Sequence, residues 1–139
     1  MATSLGGGIG NVVSFKSAGD LSSCQFYPVK LTAENTVGTC SDTTDEQIGI
    51  LQNKPAAAGV PADVMLLAGC VSKVVTGGTC AAATRVTQGT DGRVVAALTA
   101  DAVNSRYNLI TLEASTTTAA SGGGDIISVL GSPSIGTTS

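Results

Sequence analysis

Gly49-Ile-Leu-Gln-Asn-Lys-Pro-Ala56 decides how this chain reads. With Ile48 ahead of it, the stretch holds an apolar run too short for a helix and bounded by punctuating residues. That is the pattern of a buried strand. Pro55 cannot donate to a ladder, so the strand must stop in a turn before it. Nothing in the segment carries catalytic chemistry, and Lys54 reads as a surface charge at the strand's end.

Outward from this stretch the same signal recurs. Short runs rich in β-branched residues or leucine, bounded by Gly, Pro, Asn or Asp, fall at Asn11–Lys16, Gln25–Thr32, Gln47–Asn53, Asp63–Ala68, Val71–Thr76, Arg85–Gln88, Arg93–Leu98, Tyr107–Glu113 and Asp125–Leu130. Asp91-Gly92 supplies a tight reversal, because glycine accepts the positive φ such a turn needs. Gly77-Gly78 is expected to do the same after Val74-Val75. Pro55 and Pro61 bracket a small-residue crossing and argue against a central strand there. Helical periodicity is weak; Ala100–Arg106, with Asp101 as a cap, is the best and a short candidate. The fold class expected is mainly β, a compact sandwich or barrel-like domain of short strands with little helix.

The 139 residues fit one domain. Residues 1–11 are rich in Gly, Ser and Thr and read as a flexible N-terminal arm. Residues 12–131 form the β-rich domain, and 132–139 a C-terminal tail. Thr116-Thr-Thr-Ala-Ala-Ser-Gly-Gly-Gly124 is a low-complexity loop between the last two strands. Only Phe15, Phe26, Tyr27 and Tyr107 are aromatic and Trp is absent, so Val, Leu, Ile and Ala must fill the core. Stiff β-branched side chains suit a pleated surface.

Composition also excludes function classes. The net charge is −3 and no basic cluster occurs, so the footprint of a nucleic-acid binder is missing. The longest apolar run, Val64–Val71, is far below the roughly 18 residues that suggest a membrane span. There is no histidine, which removes the commonest general base and every His-containing triad or metal set. Cys24, Cys40, Cys70 and Cys80 lack paired spacing and read as four thiols. Asp42, Asp45 and Glu46 form the densest acidic cluster, but without the spacing or glycine of a calcium loop they read as a solvated loop. Gly6-Gly-Gly-Ile-Gly10 fails as a phosphate loop, because Asn11 stands where the last glycine should and no strand precedes it. Phe26-Tyr27 reads as a half-buried strand pair rather than a base-stacking platform. No catalytic residue, cofactor or metal is expected.

The order of these segments carries a resemblance. Ser14–Ser22, Gln25-Phe-Tyr-Pro-Val-Lys-Leu31, Ile48-Gly-Ile-Leu-Gln-Asn-Lys-Pro-Ala-Ala57, Gly69-Cys-Val-Ser-Lys-Val74, Asp91-Gly-Arg-Val-Val-Ala-Ala97 and Asp125-Ile-Ile-Ser-Val-Leu130 together resemble the capsid cement, or head-decoration, proteins of tailed bacteriophages. The resemblance covers roughly Val12 to Leu130. It implies a non-enzymatic virion protein, made in the host bacterial cytoplasm and added to the outer surface of the assembled head. There it would bridge neighbouring capsomers and stabilise the shell. It implies a homotrimer at quasi-threefold positions whose partner is the major capsid protein, with no direct contact to nucleic acid or membrane. Apolar residues on a flexible arm often dock into a partner, which makes Ser4, Leu5, Gly6, Gly7, Gly8, Ile9 and Val12 the candidate capsid contacts. The alternative is a β-sandwich module that recognises glycans or a host receptor, although a glycan binder normally presents aromatic platforms.

Overall fold

The computed structural model describes residues 10–42, 45–67, 69–96, 109–116 and 124–131. Ten strands run through them: β1 (Val12–Ser17), β2 (Pro28–Ala33), β3 (Thr36–Thr39), β4 (Gln47–Leu51), β5 (Pro61–Leu66), β6 (Val71–Val75), β7 (Arg85–Gln88), β8 (Val94–Ala96), β9 (Leu109–Thr111) and β10 (Ile126–Gly131). No helix occurs among the described residues. The first five strands close into a barrel in the order β1-β3-β2-β4-β5, and the other five form a sheet in the order β6-β10-β9-β7-β8. Pairing is antiparallel throughout except between β1 and β3, which meet in parallel over Lys16–Thr36 and Ser17–Val37. The expected mainly β domain is what the chain forms.

β4 joins the two halves. Leu51 packs with Leu21, Val29, Val37, Ala62 and Val64 inside the barrel, where Phe15 and Ile48 also touch. Ile50 belongs instead to a second cluster with Leu67, Val74, Val86, Val94, Leu109, Ile127 and Val129, between the barrel wall and the inner face of the sheet. A strand buried on both faces reads as a continuous apolar run rather than an alternation, which is why Ile48–Leu51 lacks a polar face. Gly49 lies where β5 crosses closely: a Cβ there would come within 2.5 Å of Val64 Cγ1 and press on the Met65 carbonyl. Only glycine fits without a shift.

Several expectations need correction. β3 has no counterpart in the strand series read from sequence. Thr36-Val-Gly-Thr39 is four residues with a glycine inside, and its place is set by pairing with β2 on one side and β1, twenty residues upstream, on the other. The run read from Gln25 begins as a strand only at Pro28. Phe26 sits in a turn at φ 67°, where its amide donates to the Leu51 carbonyl at 2.7 Å and its carbonyl accepts from Val75 at 3.1 Å. Phe26-Tyr27 is therefore a turn that ties barrel to sheet, not a strand pair. Pro61 opens β5 rather than excluding it, the first strand position being one where a missing donor is tolerated. Asp91-Gly92 makes its reversal with Gly92 at φ 86° and Gly89 donating to the Arg93 carbonyl at 2.7 Å. Gly77-Gly78 makes no hairpin: β6 and β7 are not neighbours, and Gly77 crosses to donate to Val94 at 2.7 Å. The helix candidate Ala100–Arg106 lies outside the described residues, as do 117–123 of the low-complexity loop and 132–139 of the tail.

Candidate functional site

Of the candidate contact residues, Ser4, Leu5, Gly6, Gly7, Gly8 and Ile9 lie outside the described residues. Val12 is described; it opens β1 and is 52% exposed beside Val13 at 40%. The structure also shows where the arm is attached. Gly10 enters at φ 153°, with its Cβ position 2.8 Å from Cys70 Cβ, so the chain is pressed onto the bend before β6. At the far end of the domain sequence, Gly131 donates to the Cys70 carbonyl at 2.7 Å. Both ends of the domain thus meet at one buried residue, Cys70. Sequence reasoning placed the arm and the tail separately and had no signal for this meeting, because it arises from β6–β10 pairing across more than fifty residues.

β9 and β8 extend the same end of the molecule. Gly131 is paired with Leu109, Leu109 with Val86, and Val86 with Ala96. With strands about 4.8 Å apart, these positions fall within roughly 15 Å. One end of the fold therefore gathers the departure points of residues 1–9, 97–108 and 132–139.

In the acidic cluster Asp42 and Glu46 are exposed, as read from the sequence, while Asp45 is half-buried and anchored. The Asp45 carboxylate accepts from the Ser41 amide at 2.7 Å and the Asp42 amide at 3.0 Å, and pairs with Lys30 Nζ at 2.9 Å. Burial alone would raise its pKa, but the hydrogen bonds from Lys30, Ser41 and Asp42 together hold it below the usual carboxylate value. Lys30 is raised in turn, chiefly by its hydrogen bond to Asp45. Beneath the loop, Gln88 Nε2 donates to the Asp42 and Asp45 carbonyls at 3.0 and 2.7 Å, while Gln88 Oε1 accepts from Gln47 Nε2 at 2.7 Å. Asp42 and Asp45 are thus held from below by the buried Gln88 amide. Among the described residues no group of three His, Cys, Asp or Glu side chains is placed to hold a metal ion.

A second polar cluster closes the base of the low-complexity loop. Asp125 Oδ2 accepts from Ser115 Oγ at 3.0 Å and from the Thr116 amide at 2.8 Å. The Asp125 amide donates to Thr76 Oγ1 at 3.1 Å, and Thr76 and Ser115 share a hydroxyl contact of 2.9 Å. Thr76 is fully buried and Ser115 nearly so. A carboxylate beside a buried serine could suggest a nucleophile. Here both are engaged in joining the strands that flank the loop, and Ser115 is buried. The four cysteines are free; burial pushes the Cys40 thiol up to about 12 and raises Cys70 as well, so neither is a ready nucleophile.

Among the described residues, the exposed start of β1 has a groove beside it. Ser14, Phe15, Lys16, Asn35, Gly59 and Pro61 line a depression of about 460 Å³. No protein-family model matches the chain, and no curated protein does. Among solved structures it is similar to the head fiber gp8.5 N base in bacteriophage phi29, with a TM-score of 0.59 and 14% identity, over 90% of this chain and 98% of that one. What is shared is the fold.

Proposed function

We propose that this chain is a structural, non-enzymatic protein of a tailed-phage particle, seated on the outside of the assembled head. The observation that carries the reading is the fold, which matches a head-fibre base over nearly the whole of both chains. The ordered resemblance of roughly Val12 to Leu130 to head-decoration proteins points the same way from the sequence.

Within that reading, the chain bridges neighbouring capsomers as a homotrimer at quasi-threefold positions, with the major capsid protein as partner. A ligand that binds only the mature shell stabilises it by mass action. A trimer touching several capsomers gains avidity, because each further contact is effectively intramolecular. The common departure point at Cys70 supports attachment: an arm and a tail that leave one end can engage one surface while the opposite end stays free.

Purified particles with and without the chain test the proposal. Particles lacking it are expected to release DNA at lower temperature or lower salt, and cryo-EM maps should show the domain at capsomer junctions. Unchanged particle stability with the domain visible on the shell would refute bridging while leaving attachment intact. Absence of the domain from the shell would overturn both. A deletion of residues 1–9 should weaken binding to particles without unfolding the domain; undiminished binding would remove the arm from the contact.

A further inference from the structure

β1 is a barrel strand with only half of one side closed. Its alternating backbone groups separate cleanly: Asn11 accepts from Leu66 at 2.9 Å on the β5 side, while Lys16 donates to the Asn35 carbonyl at 2.8 Å and Ala18 to Val37 at 2.8 Å on the β3 side. Val13 and Phe15 therefore face β5, where they pair with Val64 and Ala62. Val12 and Ser14 turn their amides and carbonyls the other way. β3 reaches only Lys16 and Ser17, so among the described residues Val12 and Ser14 meet no strand there.

Each edge of the five-stranded sheet is met by the backbone at one point. β6 is capped where Val75 donates to Phe26, and β8 where Gly77 donates to Val94. Exposed edges are usually guarded by charge, proline or a bulge, because unpaired backbone recruits another strand. Val12-Val-Ser-Phe15 carries none of these. Its two valines are exposed on opposite faces, and the groove of about 460 Å³ runs beside Ser14 and Phe15.

We propose that this half-strand is a β-addition site for an extended segment of a partner protein. The segment would be apolar along Val12–Phe15 and carry an acidic side chain at the Lys16 end. The free length is about four residues, or roughly 13 Å, and the Glu34-Asn35 turn stops any longer ladder. Charge selects the partner's chemistry. Lys16 is the only ionisable residue among the described residues lining the groove, and it forms no ion pair with Asp63, Glu34 or any other described acid. Main-chain hydrogen bonds would supply affinity, and Phe15 and Lys16 the choice of side chains. That the partner is the head-shell protein rests on the preceding proposal; the edge does not.

A random octapeptide library selected on the immobilised chain tests this without any particle. Enriched peptides are expected to alternate apolar residues and to carry Asp or Glu. They should bind wild type at least tenfold tighter than Ser14→Pro, which removes one open-side donor, and severalfold tighter than Lys16→Ala. Amide exchange on the wild-type chain needs no variant: Val12 and Ser14 should exchange fast when free and slow on peptide addition, with Val13 and Phe15 slow throughout. Peptides indifferent to Ser14→Pro, no enrichment, or unaltered Val12 and Ser14 exchange would overturn the site. Protection of these amides that grows with protein concentration alone would assign the edge to a second copy and overturn the partner assignment. Peptide binding combined with failure to bind particles would refute only the head-shell identity.

Discussion

The barrel and the five-stranded sheet solve the same problem in opposite ways. The sheet is open by topology, and each outer strand borrows a group at one point: the Phe26 carbonyl for β6 and the Gly77 amide for β8. The barrel is closed by topology, yet its closure rests on two parallel pairs, leaving Val12 and Ser14 unpaired on one side. Closure of a barrel thus does not guarantee satisfied backbone, and an open sheet can engage part of its edges. Coupling between the halves runs through β4, whose Ile50 and Leu51 point into different clusters.

The most damaging way to break that arrangement is at β4. Ile50→Ala is expected to cost about 2–5 kcal/mol, the range for emptying a fully buried aliphatic site. Leu51→Ala should cost a similar amount, and urea denaturation followed by both far-UV and near-UV signals should show one coincident transition for each. A cost under about 1 kcal/mol for Ile50→Ala would mean the halves are not coupled through this strand.

Proline scanning of β1 sharpens the contrast between its two sides. Val13→Pro removes a donor paired with β5 and should destabilise by roughly 2 kcal/mol or more, whereas Ser14→Pro removes an unpaired one and should cost under about 1 kcal/mol. Equal losses in thermal melts would show that both sides of β1 are engaged.

At the base of the low-complexity loop, Thr76→Val keeps the shape but removes the hydroxyl shared by Ser115 and Asp125. A loss of about 1–2 kcal/mol is expected, since the buried Ser115 hydroxyl and the Asp125 amide lose a partner. Chemical denaturation of the single variant against Thr76→Ser, which keeps the hydroxyl, separates the hydrogen bond from packing.

The smallest effect concerns pH. The folded-state pKa of Asp45 is depressed, so its contribution is complete above the unfolded carboxylate value near 3.8 and is lost as pH falls through the lower folded value. Asp45→Asn should therefore flatten the stability profile below about pH 4 and change it by less than about 1 kcal/mol at pH 7, as for a partly exposed pair. A profile parallel to wild type down to pH 2 would show that Lys30–Asp45 adds nothing.

Most strands were legible because they hold a local signal. Val71–Val75 and Ile126–Gly131 are β-branched runs between turn residues, and the sequence places them within a residue or two. β3 was not legible, because Thr36-Val-Gly-Thr39 is strand only through its contacts with β1 and β2. Phe26 misled for the converse reason: an aromatic in a β-like run sits at positive φ because carbonyl and amide partners on two different strands hold it there. For the candidate surface, exposed apolar character at Val12 could be read from its place next to the arm. The half-open edge could not, since it depends on where β3 ends.

The amino-acid sequence by itself determined a mainly β chain without histidine, built on small aliphatic residues, with a strand at Ile48–Leu51 stopped before Pro55. These follow from side-chain stereochemistry and from what each residue type can donate or accept. Only the tertiary structure decided that this strand is buried on both faces, that the two ends of the domain meet at Cys70, and that β1 keeps two residues of unpaired edge. Each of those depends on pairing between segments far apart in the chain, and no local preference encodes which distant backbone will arrive, or where it stops.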